Sequence, residues 1–127
     1  MQIICVDDHP ILLNGLVSTV QHLLQNADVR GFIKAEDALA FAKHNGCDIL
    51  FCEIQLYANG GLTLAEQIRK LFPRANIIFT TVCSENEYAK EAMDVRLSGY
   101  ITKPITKTRV CEELHNLRYP VEGCFIY

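Results

Sequence analysis

Residues 3–8 read Ile3-Ile4-Cys5-Val6-Asp7-Asp8, a short apolar run that ends in two acids. A run of four residues that is apolar at every position is too short for a helix and is typical of a strand buried on both faces of a parallel sheet. Pro10 follows, and proline is favoured in the first turn of a helix. Helical spacing then predicts one buried helix face formed by Leu12, Leu13, Leu16, Val17, Val20, Leu23 and Leu24.

The alternation of an apolar run with a helical period occurs four more times. Further strands are predicted at residues 29–33, 48–53, 76–80 and 99–102. The helices that follow strands two, three and five are marked by Ala38, Leu39 and Ala42, by Leu64, Ile68 and Leu71, and by Val110, Leu114 and Leu117. Helix four is predicted to open with a capping box formed by Ser84 and Glu87. Strand–helix alternation with short connections predicts an α/β fold, with a parallel sheet covered by helices on both faces.

Size and composition indicate one domain of limited charge. The chain has 127 residues, half of them hydrophobic, and a net charge of −3. It has no basic run longer than two residues, which argues against nucleic-acid binding through this domain itself. No apolar stretch approaches the roughly 20 residues of a membrane span, and the N-terminus lacks the layout of a signal peptide. We therefore expect no membrane partner and a cytoplasmic location.

The cysteines and histidines carry no metal-binding pattern. There is no C-x-x-C pair, and several cysteines lie in or beside apolar runs, where cysteine packs as a small hydrophobic residue. Reduced structural thiols are therefore expected at Cys5, Cys47, Cys52, Cys83, Cys111 and Cys124. The histidines, which also lack ligand spacing, are His9, His22, His44 and His115.

Polar side chains follow the predicted strands at the edge where a doubly wound sheet binds its ligands. They are Asp7 and Asp8 after strand one, Glu53 at the end of strand three, Thr80 and Thr81 at the end of strand four, and Lys103 after strand five. Clustered carboxylates repel one another unless a cation offsets their charge. Mg²⁺ prefers one or two carboxylates, a carbonyl and several waters, usually beside a phosphate oxygen. The sequence therefore predicts a pocket that holds Mg²⁺ beside an anionic group, with Lys103 and Thr81 as donors.

These residues resemble the receiver domain of two-component response regulators, the CheY-like superfamily, over residues 2 to about 117. Asp7 and Asp8 match the acidic pair of the family, and Thr81 matches its strand-four hydroxyl. Tyr100 matches the strand-five aromatic residue, and Lys103-Pro104 matches the Lys-Pro pair. The resemblance implies a flavodoxin-like (βα)5 sandwich with strand order 2-1-3-4-5. It also implies a receiver domain over residues 1–119, followed at 120–127 by a tail or by the start of a linker to an output domain.

The resemblance implies a role for each residue of the predicted pocket. The family's phosphoacceptor aspartate ends strand three, and Glu53 occupies its place. Glu53, Thr81 and Lys103 are then the catalytic positions. Gln55 matches the residue whose backbone carbonyl binds the metal, so the implied Mg²⁺ ligands are Asp7, Asp8, Glu53 and Gln55. Gly61 matches the family's glycine in the following loop, whereas the proline often found near Tyr57 is absent.

Glutamate at position 53 changes the expected chemistry. Its extra methylene moves the nucleophilic oxygens by roughly 1.5 Å, the length of a C–C bond, and a misplacement of that scale can cost about 100-fold in rate. The carboxylate carries one negative charge against about −1.5 to −2 for a phosphate, so it mimics a phosphoryl group only in part. A first hypothesis is a receiver that has lost, or nearly lost, phosphotransfer and signals by partner binding or by a standing active-like bias.

Two other hypotheses stay open at this point. A second is a receiver that is still phosphorylated slowly, on Glu53 or elsewhere. A third is a flavodoxin-like enzyme or ligand-binding domain, against which the sequence offers Asp7-Asp8-His9-Pro10 after strand one rather than a glycine-rich phosphate loop. On the first two hypotheses the chain is a signalling switch and not an enzyme.

The resemblance further implies a switch and an output surface. Thr81 and Tyr100 match the two switch residues. The output interface is expected on helix four, strand five and helix five, at Tyr88, Glu91, Tyr100, Arg109 and Glu113, although mixed charge there is also typical of a solvated helix face. The implied partners are a sensor histidine kinase, a second copy of the chain through this surface, and DNA only through an output domain beyond Tyr127.

Overall fold

Five parallel strands form one sheet in the order β2-β1-β3-β4-β5 in a computed structural model that describes residues 1–122 and 126. The strands are β1 (Gln2–Val6), β2 (Asp28–Phe32), β3 (Ile49–Glu53), β4 (Asn76–Thr81) and β5 (Gly99–Thr102). The helices are α1 (Pro10–Leu23), α2 (Ala35–Asn45), α3 (Gly60–Leu71), α4 (Ala89–Asp94) and α5 (Lys107–His115), with short 3-10 helices at Tyr57–Asn59 and Glu85–Tyr88. This is the predicted flavodoxin-like (βα)5 fold. Within the part of the chain that the structure describes, no helix is both long and apolar enough to cross a bilayer.

The central strands separate two hydrophobic cores. Successive side chains of a strand point to opposite faces, so Ile3 and Phe51 pack with α1 and α5, whereas Ile4 and Phe79 pack with α2 and α3. All residues of β3 and β4 are buried. The continuous apolar runs in the sequence therefore do reflect burial on both faces of the sheet, as predicted.

Two expectations for the helical faces are wrong. Leu12, predicted to face the core, is 49% exposed, and Leu71, at the end of α3, is 46% exposed. Leu13, Leu16 and Val20 already form the stripe of α1 that contacts the sheet. Leu12 lies about 40° around the helix from Leu16 and 100° from Leu13, so it is at the edge of this stripe and in the first turn of α1.

The predicted capping box at Ser84 and Glu87 is also wrong. Ser84 precedes a 3-10 helix rather than α4, and its side chain caps no backbone amide. The backbone N–H of Glu87 donates instead to the Ser84 carbonyl oxygen at 3.2 Å. The α-helix begins only at Ala89, spans six residues and buries none of them fully, so this segment is held to the domain by few contacts.

The described cysteines are free thiols, as expected. Cys5, Cys47 and Cys52 are buried, and Cys83 and Cys111 are half-buried. Burial is the main cause that raises the pKa of the Cys47 thiol to about 12, which keeps it protonated and unreactive near neutral pH. Cys124 lies outside the described residues.

Candidate functional site

Lys103 joins the ends of two strands at the carboxyl edge of the sheet. Its Nζ lies 2.8 Å from Asp7 Oδ2 and 2.8 Å from Glu53 Oε1. The three side chains are 9%, 2% and 5% exposed, respectively. Three groups that the sequence places up to 96 residues apart thus meet in one nearly buried cluster.

The strand backbones fix these three side chains. Asp7 directly follows β1, and its N–H donates to the Phe32 carbonyl oxygen at 3.1 Å. Glu53 is the last residue of β3 and lies opposite Thr80 of β4. The Lys103 N–H donates to the Thr81 carbonyl oxygen at 2.8 Å, which continues the β4–β5 pairing beyond the last residue of β5. The cluster is therefore built on rigid elements, as a binding site requires.

The charges of the cluster favour an ionised lysine. Burial by itself lowers the pKa of the Lys103 ammonium, but the hydrogen bonds to Asp7 and Glu53, together with the charges of both carboxylates, outweigh it and raise that pKa above its usual range. Charge-assisted hydrogen bonds of this kind are about twice as strong as neutral ones. The Lys103 ammonium therefore stays charged between the carboxylates of Asp7 and Glu53.

Glu53 is bonded through both of its carboxylate oxygens. Oε1 accepts from Lys103, and Oε2 accepts from the backbone N–H of Gln55 at 3.2 Å. The Gln55 side chain, which is exposed, donates to Cys83 Sγ at 2.9 Å. The carboxylate therefore has a defined orientation inside the pocket.

The two strand-four hydroxyls differ in their partners. Thr81 is fully buried, and its Oγ1 accepts from the Cys83 N–H at 3.4 Å. Thr80 is also fully buried and is paired in register with Glu53, but its Oγ1 has no hydrogen-bond partner among the described residues. The sequence predicts Thr81 as the functional hydroxyl and gives no role to Thr80. The register of β3 with β4, which a single sequence does not give, is what places Thr80 beside Glu53.

A second group at the pocket could hold a metal ion. Asp7, Asp8 and His9 offer ligand atoms that lie within 4.8 Å of one another. Asp7 serves both groups, because Oδ2 bonds Lys103 while Oδ1 lies 3.1 Å from His9 Nδ1. Asp8 Oδ1 is also 3.1 Å from His9 Nδ1.

This group overlaps only partly with the predicted ligand set. Asp7 and Asp8 belong to it, whereas the Glu53 carboxylate does not. His9 was missed, although it directly follows the acidic pair. The two carboxylates fit Mg²⁺, and an imidazole also suits transition-metal ions. The donor set therefore fits a divalent cation held through Asp7 and Asp8.

Gly61 permits a close backbone approach behind Glu53. A Cβ at this position would meet the Glu53 carbonyl oxygen and would lie 2.6 Å from the Ile54 carbonyl oxygen. Neither oxygen belongs to a flexible side chain, so any larger residue must displace the end of β3. The glycine matched to the family's loop is thus required by packing in this chain.

Of the predicted switch and output residues, Tyr100, Arg109 and Glu113 contact one another in a chain. Tyr100 is 7% exposed, and its hydroxyl donates to the carbonyl oxygens of Cys83 at 3.0 Å and Ser84 at 3.1 Å. Arg109 donates to the Tyr100 carbonyl oxygen at 2.8 Å and pairs with Glu112 and Glu113. Tyr88 and Glu91 are half-buried. Tyr100 therefore points inward, under the connection between β4 and α4.

The family model described as "Response regulator receiver domain" matches residues 3–115. Among curated proteins, the Sensory transduction protein LytR of Staphylococcus epidermidis is 30% identical over 121 residues, which cover 92% of this chain and 46% of that protein. The Transcriptional regulatory protein LytR of Staphylococcus aureus is 25% identical over 118 residues, which cover 93% of this chain and 47% of that protein. The chain thus spans about half the length of the curated relatives it matches.

Solved structures show the same fold. The chemotaxis protein CheY4 of Vibrio cholerae superposes with a TM-score of 0.81 at 19% identity, covering 91% of this chain and 97% of that one. A CheY-like response regulator receiver domain protein from Methanospirillum hungatei superposes with a TM-score of 0.77 at 25% identity, covering 90% of each chain. The family match gives no support to the hypothesis of a flavodoxin-like enzyme or ligand-binding domain.

Proposed function

The chain belongs to the response regulator receiver domain family, and from that premise we propose that it signals with little or no phosphotransfer because Glu53 stands where the family carries its phosphoacceptor aspartate. The assignment as a receiver domain of a two-component response regulator rests on the family match. The loss of phosphotransfer rests on the chemistry of Glu53.

One observation carries the proposal, namely the 2.8 Å contact between Lys103 Nζ and Glu53 Oε1. Lysine is the donor that would otherwise neutralise an incoming phosphoryl group. Here the longer glutamate side chain brings its own carboxylate to that donor, and its second oxygen is held by the Gln55 N–H. Because the carboxylate carries less charge than a phosphate, we expect a partial, standing bias towards the active-like arrangement.

The same geometry opposes phosphoryl transfer. Catalysis in such a site is mostly positioning and charge neutralisation, and the extra methylene displaces the nucleophile by roughly 1.5 Å. Both carboxylate oxygens also already accept hydrogen bonds, Oε1 from Lys103 and Oε2 from the Gln55 N–H, which lowers their nucleophilicity. We therefore expect labelling about 100-fold slower than with aspartate.

Asp7 and Asp8 are the residues that would hold Mg²⁺, with His9 beside them. The bound ion would supply positive charge next to the anionic group. Glu53 and the Gln55 carbonyl stay proposed ligands by resemblance only.

The partners are proposed from the resemblance and from the relatives. A sensor histidine kinase is the proposed upstream partner, and the names of the two LytR relatives support a role in sensory transduction and transcription regulation. We place the output surface and a homodimer contact on α4, β5 and α5. We further propose that the receiver domain ends at residue 119 and that DNA is contacted only through an output domain. The proposed location is cytoplasmic.

The test is labelling by a small-molecule phosphodonor with Mg²⁺, followed by measurement of the intact mass. Wild type is expected to gain no phosphoryl group, whereas Glu53→Asp is expected to gain one. Glu53→Gln is the control, since an amide does not accept the group. Labelling of wild type that is lost in Glu53→Gln would establish slow phosphorylation on Glu53 instead. If Glu53→Asp also stays unlabelled, Glu53 alone does not explain the loss.

A further inference from the structure

Four of the chain's six arginines gather around one aromatic ring, that of Tyr119. The guanidinium carbons of Arg69, Arg74 and Arg118 lie 5.3, 5.4 and 5.9 Å from the ring centroid. Arg96 Nε donates to the phenolic oxygen at 3.0 Å. The cluster lies beside Asn76, at the start of β4 and thus at the amino ends of the parallel strands. Asp7, Glu53 and Lys103 lie at the opposite, carboxyl ends.

The backbone around the ring is firmly held. The buried Asn76 side chain accepts from the Tyr119 N–H at 2.8 Å and donates to the Tyr119 carbonyl oxygen at 2.7 Å. Arg69, itself buried, donates to the Val95 carbonyl oxygen at 2.7 Å and the Pro73 carbonyl oxygen at 2.9 Å. Arg96 has a φ of +51°, a left-handed conformation that is unfavourable for a residue other than glycine. Hydrogen bonds thus fix Tyr119, Arg69 and Arg96, and the exposed Arg74 and Arg118 side chains lie against the ring.

Within the described residues, no acid pairs with the arginines of this cluster. Arg30 pairs with Asp28, and Arg109 pairs with Glu112 and Glu113. Among residues 1–122 and 126, no carboxylate lies within 4.0 Å of a nitrogen of the other four arginines. Four guanidinium groups therefore lie close together in a chain whose net charge is −3.

The pKa shifts of Arg69 and Tyr119 are consistent with an excess of positive charge in the cluster. Burial is the main cause of a lowered pKa of Arg69, and the charges of Arg96 and Arg118 lower it further. The hydrogen bond from Arg96 is the main cause of a lowered pKa of the Tyr119 phenol. An anion at this place would offset the repulsion that Arg96 and Arg118 exert on Arg69.

We propose that Arg74, Arg96 and Arg118, arranged around Tyr119, form a phosphate-binding surface. All three side chains are exposed, and guanidinium groups bind phosphate oxygens in pairs of hydrogen bonds. The ring already carries guanidinium groups within 6 Å, so the ligand is recognised by its phosphates and not by stacking of a base. The shared chemistry is that of closely spaced phosphate groups, supplied either by a free polyphosphate or by a nucleic-acid backbone.

The test is a titration of the chain at low salt with sodium tripolyphosphate and, separately, with a short DNA duplex. Binding is monitored through the NMR chemical shifts of the protein. Arg74→Ala and Arg118→Ala are each expected to weaken binding about threefold to tenfold. Arg30→Ala is the control, because it removes the same charge from a guanidinium that is paired with Asp28. For the duplex, three phosphate contacts predict a slope of log affinity against log salt of about −2.7, roughly −0.9 for each contact.

Each outcome of the two titrations either supports or overturns the proposed phosphate-binding surface. Binding of both probes, with loss in the two cluster variants, supports phosphate recognition. Binding of the duplex alone or of tripolyphosphate alone also supports it and identifies the source. Failure of both probes to bind overturns the proposal, as does a loss in Arg30→Ala equal to that in Arg118→Ala. Since the altered side chains are exposed, thermal unfolding is expected to be unchanged and serves as the check on folding.

Discussion

The Lys103 ammonium and the Glu53 carboxylate lie 2.8 Å apart although fifty residues separate them in the sequence. The contact ties the end of β3 to the segment after β5, and Asp7 joins it from β1. In a nearly buried place, an ion pair that keeps further hydrogen bonds is costly to break from one side only.

Substitution of Gly61, which packs behind Glu53, and of Gly15, which has open space around it, is expected to change stability in opposite directions. Gly61→Ala is expected to lower the free energy of unfolding by about 1–3 kcal/mol, because the new Cβ meets the Glu53 and Ile54 carbonyl oxygens. Gly15→Ala, in the interior of α1 with open space around it, is expected to raise it by about 0.5–1 kcal/mol. Denaturant unfolding measures both. Equal effects at the two sites would contradict the proposed close approach.

The two threonines of β4 give a second pair. Thr80→Val removes a buried hydroxyl that has no partner among the described residues, so stability is expected to rise by about 1 kcal/mol. Thr81→Val leaves the Cys83 N–H without its acceptor, so stability is expected to fall by about the same amount. The prediction is contradicted if Thr80→Val is the more damaging change in urea unfolding.

Much of the fold and the main cluster could be predicted from the sequence. Strand runs such as Ile3–Val6 are apolar at every position because both faces of the sheet are covered. Parallel strands also bring their carboxyl ends to one edge, which is why Asp7, Glu53 and Lys103 were expected to meet. Position along the chain and periodicity are sufficient for such features.

The remaining features depend on relations that local patterns do not encode. The position of Thr80 opposite Glu53 follows from the register of β3 with β4, and the exposure of Leu12 follows from how α1 is rotated against the sheet. Ser84 and Glu87 satisfy a local pattern, but the chain there forms a 3-10 helix. The arginines around Tyr119 are spread over residues 69–118 and form no basic run, so only the folded chain brings them together.

Two tyrosines are expected to titrate in opposite directions. The hydrogen bond from Arg96 lowers the pKa of Tyr119, whereas burial raises the pKa of Tyr88. Tyr119 therefore contributes stability above the usual tyrosine pKa of about 10, and that contribution is lost as the pH falls through its lowered value. Tyr88 contributes below about 10, and its contribution is lost as the pH rises through its raised value.

Phenolate absorbance measured against pH separates the two groups. The difference between wild type and Tyr119→Phe gives the curve of Tyr119, and Tyr88→Phe gives that of Tyr88. Tyr119 is expected to ionise at the lower pH. The reverse order would show that the guanidinium groups do not face the phenol in solution.

The coupling between Lys103 and Glu53 is tested most directly by a double-mutant cycle in the free energy of unfolding. Lys103→Met, Glu53→Gln and the double variant remove the two charges singly and together, while Asp7 is kept. We expect a coupling energy of about 1–3 kcal/mol, since the pair is nearly buried and hydrogen-bonded. Additive effects, within about 0.3 kcal/mol, would mean that Lys103 does not hold the Glu53 carboxylate, and the proposed substitute for a phosphoryl group would be lost.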